Sequence, residues 1–250
     1  AAFGELELPA VEVLNVAKNW WQSVDDTQPK FAWIHLYDPH APWEPPEEWK
    51  GDPYRGEIAK VDRLLGRILS EVKEDALIVL TSDHGEALWE GGEREHTVLL
   101  ERSVTRVPLI IRPPNGVEGS EEWIGESPPL DIRRPKGLDQ DLVLDPVPNH
   151  LRGGRISELP VSGVDIAPTI AGYAKVELPN VDGRDLSPIL TNQEMKATEI
   201  FAESVFPFFH YGWQPLRMVQ NSDQRMVAGK WESFVHPTKG VEQEKDQRLI

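Results

Sequence analysis

The sequence predicts an α/β fold. Apolar β-forming runs stop abruptly at polar clusters, amphipathic helical stretches separate them, and one strand–helix–strand passage is long enough for a parallel crossover. The central strand is the run Ala76 to Thr81, free of proline and glycine, which reads as buried and parallel. Ser82-Asp83-His84-Gly85-Glu86 follows at its carboxyl end. Ligands of open α/β sheets gather there, so Asp83 and His84 stand side by side as half of a metal site. The same residues also suit a helix N-cap and turn, and their company has to decide between the two.

In chain order, Val13, Val16, Ala17, Trp20 and Trp21 recur at helical spacing between Pro9 and Trp21, the mark of a surface helix lying on a sheet. Phe31 to Tyr37 reads as an aromatic-rich strand. It ends at Asp38-Pro39-His40-Ala41-Pro42-Trp43-Glu44-Pro45-Pro46, whose prolines can neither pair in a sheet nor continue a helix. His40 therefore sits in a stiff loop just past a strand end, as Asp83 and His84 do. Ile58, Val61, Leu65, Ile68 and Val72 then step by three and four along an amphipathic helix from Tyr54 to Val72.

After Gly85 a glycine-and-glutamate loop leads to His96, and Val107 to Ile111 forms a short strand that Pro108 restricts to a start or an edge. Residues 113–160 lack periodicity and read as a long surface excursion. Val161 to Ile170 leads into a helix that Asp165 caps and Pro168 enters in its first turn. Ile200–Ser204, Leu216–Gln220, Gln224–Ala228 and Ser233–His236 read as short strands of a C-terminal antiparallel sheet, and 237–250 as a charged tail. The expected organisation is one α/β domain over 1–190, antiparallel strands over 191–236, and the tail.

The chain carries 42 acidic against 26 basic residues in 250, a formal charge of −16, which repels nucleic acid and anionic membranes. Nucleic acid is not an expected partner. No apolar run approaches membrane-spanning length, and the amino terminus does not read as a signal peptide. Without cysteine, disulfides, zinc-thiolate sites and a cysteine nucleophile are excluded within these residues.

Taken together, the motifs resemble those of the sulfatase family, in the alkaline phosphatase superfamily. The resemblance rests on His35-Leu36-Tyr37-Asp38-Pro39-His40-Ala41-Pro42-Trp43, Gly56 to Asp62, Thr81 to Glu86, Arg106 to Ile110 and Val164 to Thr169, in one order. It covers roughly Val11 to Leu190, and Tyr211-Gly212-Trp213 with Leu216-Arg217 resembles a segment of some bacterial members. The resemblance implies an alkaline-phosphatase-like sandwich with a largely parallel central sheet between helices. It also implies a metal held by Asp83 and His84, with His40 and His96 on the sulfate or phosphate and its leaving oxygen. Calcium is the first expectation for the metal, with manganese or zinc open because a histidine enters the shell. The implied substrate is a small or polymeric sulfate ester, and the implied location periplasmic or extracellular.

Sulfatases also carry an earlier strand ending in two metal-binding aspartates and a Cys or Ser nucleophile in a C/S-x-P-S/A-R motif. No such motif occurs here. The sequence looks like the latter part of a sulfatase whose opening third is absent, with formylglycine expected only in the missing segment. This polypeptide alone is expected not to turn over substrate. Gly91, where many relatives have histidine, and Glu95, where threonine is common, depart further from the pattern. The alternatives are a phosphate or phosphonate ester hydrolase of the same superfamily and a non-catalytic α/β binding domain. His35, His150, His210 and His236 are expected to be structural or surface groups, and Arg106 and Asp38 to hold loops.

Overall fold

Pro9 stands just before the first helix, and the chain turns helical at once: α1 spans Ala10–Ser23, and α2, opened by a proline whose fixed φ suits a first helical turn, spans Pro53–Leu69. The computed structural model describes residues 8–115, 157–191, 193–229 and 241–245. They fall in two compact units, residues 8–73 and the described residues from 74 onward.

In the first unit α1 packs on α2. α1 buries Ala10 and Leu14 and half-buries Val13, Ala17 and Trp21, while Val16 and Trp20 of the predicted stripe face outward. The spacing located the helix, but neighbouring stripes of a 3.6-residue period differ little in sequence, and the packing partner selected this one. The Ala10 N–H, an orphan donor at the positive end of α1, donates to Asp38 Oδ2 at 2.6 Å. Lys18 pairs with Glu71, and Asp26 bridges Lys30 and Lys73. A short 3₁₀ turn at Glu47–Trp49 lies on α2 at Gly56, where a Cβ would collide with Trp49 and Pro45.

The strand predicted from Phe31 to Tyr37 does not form. These residues pair with no strand among the described residues, and Phe31 and Trp33 remain 65% and 84% exposed. A strand-like sequence needs a neighbour to accept its backbone groups, and composition cannot supply one.

In the second unit β1 (Ile78–Thr81) pairs with β2 (Leu109–Arg112), in the register Leu80↔Ile110. The pairing is antiparallel. The parallel neighbour expected for β1 is not paired among the described residues, and β1 is half-buried rather than sealed on both faces. α3 (Arg102–Thr105), too short for periodicity to reveal, leads into β2, and α4 (Ile166–Ala174) and α5 (Ser187–Leu190) follow. The antiparallel sheet is built as expected from β3 (Ile200–Ser204), β4 (Leu216–Gln220) and β5 (Gln224–Ala228), with α6 (Phe206–Tyr211) between the first two. Its fourth strand is β6 (Val241–Lys245), within the predicted tail; the predicted strand at 233–236 and nearly all of the predicted excursion at 113–160 lie outside the described residues. Leu216 and Met218 of β4 pack with Leu100, which seats the sheet against the segment that carries His96.

Candidate active site

Asp83 and His84 leave the end of β1 in a turn that its own side chains organise. Ser82 Oγ donates to the His84 carbonyl, and the His84 N–H donates to Asp83 Oδ1 at 3.1 Å. His84 Nδ1 lies 2.9 Å from the Gly85 carbonyl, an acceptor only, so Nδ1 carries the hydrogen and Nε2 keeps its lone pair. Nε2 stands 3.7 Å from Asp83 Oδ2. Two donors that share one ion at about 2.1–2.4 Å each are about 3–4 Å apart, so this spacing suits two members of a coordination shell. A backbone carbonyl fixing the far nitrogen is also how a ligating histidine is held. The pair fits part of a shell, and no group of three or more His, Asp or Glu gathers as a metal site among the described residues.

His96 joins them across the loop. Its ring stacks on His84 with centroids 3.9 Å apart and planes at 21°. Its Nδ1 lies 3.3 Å from Glu86 Oε1, and both side chains are largely buried. Glu93, also buried, accepts from the Val98 and Leu99 N–H groups at 2.7 and 3.0 Å with its two carboxylate oxygens. Ser204 Oγ of β3 donates to the Thr97 carbonyl at 2.8 Å. Thr97 is held at φ +105°, an unfavourable backbone conformation for a β-branched residue that its surroundings must impose. Sequence reasoning missed Glu86 and Glu93: in a loop rich in glycine and glutamate, a buried carboxylate has the same signature as a solvated one.

His40 belongs to the first unit. Its ring stacks on Tyr37 at 4.5 Å, its Nδ1 meets the Ala41 carbonyl, and Trp43 Nε1 donates to the Pro39 carbonyl at 3.0 Å. Asp38 anchors this loop as expected, its second oxygen 2.8 Å from Lys60 Nζ, and Lys60 also meets Glu57 at 3.3 Å. Burial by itself would pull the Lys60 ammonium down, but Asp38 and Glu57 together hold it above its ordinary value.

Burial pushes the Glu57 carboxyl up from its ordinary value against the opposing pull of Lys60. A carboxyl raised in the folded state contributes fully below its unfolded pKa, and the contribution is lost as pH rises through the folded one. Glu57→Gln is therefore expected to raise the melting temperature at neutral pH by roughly 1–3 °C, with the gain fading as pH falls below the ordinary carboxylate range. Thermal melts at the two pH values measure this. A variant less stable at neutral pH would mean that the Lys60 pair outweighs the burial.

A family model described as Sulfatase matches residues 10–176. Mouse steryl-sulfatase is 28% identical over 166 residues, which are 63% of this chain and 22% of that protein. A Bacteroides thetaiotaomicron structure from work on the metabolism of multiple glycosaminoglycans superposes with a TM-score of 0.62 at 15% identity, over 95% of this chain and 51% of the other. The phosphonate monoester hydrolase of Silicibacter pomeroyi superposes with a TM-score of 0.50 at 23% identity, over 72% and 32%. The chain thus spans well under a third of the mouse relative, and these structural likenesses are likenesses of fold. No helix among the described residues is long and apolar enough to cross a membrane.

Proposed function

This chain belongs to the sulfatase family, and from that premise we propose that it carries part of the site of a metal-dependent sulfuric ester hydrolase. Asp83 and His84 supply two ligands of a divalent ion, calcium first and manganese or zinc as the alternatives. His96, beside them, meets the anion. One observation carries the reading: the Asp83 carboxylate and His84 Nε2 are spaced to share an ion, and the His96 ring is stacked on His84 beside them.

When bound, the metal supplies a positive charge that offsets the charge developing on a departing ester oxygen. The chain's own groups position that chemistry. The Ser82-to-Gly85 turn fixes the His84 tautomer, and the buried loop bonds keep His96 at its side. These residues contain no cysteine and no Ser-x-Pro-x-Arg run, so the nucleophilic step is not assigned to any of them. The substrate is a small or polymeric sulfate ester. A phosphate or phosphonate ester is the second reading, favoured by His84, because an imidazole ligand suits manganese or zinc better than calcium.

Isothermal titration of calcium and of manganese into the wild type and Asp83→Ala tests the ligand assignment. Affinity for the bound ion is expected to fall about tenfold or more in the variant. Equal affinity in the two proteins would overturn it.

A further inference from the structure

We infer that Ser204 is a positioning residue for His96: from β3 its hydroxyl holds the Thr97 carbonyl and so fixes the backbone turn from which the His96 ring is laid against His84. This rests on the hydrolase reading above, in which His96 meets the anion, and deepens it at one residue. Strand alternation puts Ser204 on the sheet face that carries Ala202, and its register partner Leu216, beside Met218, packs with Leu100. A serine 9% exposed on that apolar face needs a hydrogen-bond partner. It finds one in the Thr97 carbonyl at 2.8 Å, 107 positions away in sequence. The N–H of the same peptide unit, that of Val98, donates to Glu93 Oε1 at 2.7 Å. One peptide plane is thus held at both ends, and Thr97, which precedes it, sits at φ +105°. A β-branched residue leaves that conformation unless the bonds around it forbid it. Glu93 alone leaves a way out, because the plane can swing about the Val98 N–H; the Ser204 bond closes it. Leu100 is anchored in the same apolar cluster as Leu216, so strand and loop keep their distance. Any relaxation at Thr97 passes directly to His96, whose ring lies 3.9 Å from that of His84.

Proton NMR of the histidine rings at one fixed pH, in the wild type, Ser204→Ala, Ser204→Thr and Val227→Ala, tests this. Stacked rings shield each other, so His84 and His96 should resonate away from free imidazole in the wild type. Ser204→Ala should move both sets of ring shifts towards free-histidine values, and Ser204→Thr, which keeps the hydroxyl and suits a strand, should restore them. Val227→Ala truncates a residue packed on the same apolar cluster, and should lower the melting temperature without moving the rings. Wild-type ring shifts in folded Ser204→Ala overturn the inference, as does an equal displacement in Ser204→Thr or in Val227→Ala. Should Ser204→Ala not fold, Ser204→Cys, whose thiol is a weaker donor, should displace the rings in the same direction, and unchanged rings there overturn it. Manganese alone, titrated into the same samples, separates this role from the metal site it serves. An ion at Asp83 and His84 broadens ring protons steeply with proximity. In the wild type both rings should broaden, and in Ser204→Ala the effect at His96 should fall severalfold while that at His84 stays. Rings that never broaden in the wild type overturn the metal site, and the ring shifts then still decide whether Ser204 seats His96.

Discussion

Asp165→Ala is expected to cost about 3–5 kcal/mol, the range seen when one partner of a buried ion pair is removed and the other stays behind. Asp165 is 2% exposed. Its Oδ1 accepts the Arg184 N–H at 2.7 Å, and its Oδ2 accepts the Ser162 N–H at 3.0 Å and Arg184 Nη2 at 3.1 Å. One short side chain thus caps the Gly163–Asp165 turn that leads into α4 and pins the segment before α5 to it. Alanine would leave these N–H groups and half of a partly buried guanidinium without an acceptor. Arg184 keeps its bonds to the Lys196 and Pro160 carbonyls, which holds the loss within that range. Asp165→Asn keeps an oxygen acceptor and should cost roughly half as much. Urea unfolding of the three proteins measures both, and a cost for alanine near the 1 kcal/mol of an ordinary N-cap would refute the bridging role.

Gly85→Ala is expected to destabilise the chain by about 3 kcal/mol and to disturb the candidate site with it. A Cβ at this position would run into the carbonyl of Ser103, and the Gly85 N–H donates to the Val104 carbonyl at 2.7 Å. The obstacle is backbone and cannot rotate away, so either α3 shifts or the hydrogen bond breaks. Overpacking costs about 1–3 kcal/mol and a broken hydrogen bond about 1 more. Because His84 precedes the glycine directly, the same displacement should alter the His84–His96 stack, which ring-proton shifts report. Gly66→Ala is the control. It lies inside α2 with nothing near its missing Cβ, and should gain roughly 0.5–1 kcal/mol from helix propensity. A Gly85→Ala variant as stable as the wild type would show that the turn has room the structure denies it.

The elements that the sequence revealed are those governed by local rules. α1, α2 and the strands β3, β4 and β5 appear where periodicity and alternation put them, whereas Asp165, expected to cap α4, makes no side-chain capping bond to that helix and instead accepts from the Ser162 N–H at the start of the Gly163–Asp165 turn. Asp38 holds its loop because the surrounding prolines leave few other roles for a carboxylate there. The failures have a common cause. Phe31 to Tyr37 has every intrinsic feature of a strand, yet pairing is a property of two segments, and β1 took an antiparallel partner from Leu109–Arg112 for the same reason.

The candidate site divides the same way. Asp83, His84, His40 and His96 stood out because imidazoles and carboxylates at strand ends and in rigid loops are legible one residue at a time. That His96 lies against His84, that Glu86 faces its Nδ1 and that Glu93 gathers the loop behind it depend on groups five to twelve positions apart that no helical or strand period relates. The amino-acid sequence by itself determined which segments are helical or extended and which side chains can do chemistry, since those follow from backbone sterics and functional groups. Only the tertiary structure decided which acids are buried and what they hold, because desolvation and hydrogen bonding are settled by the neighbours that folding brings up.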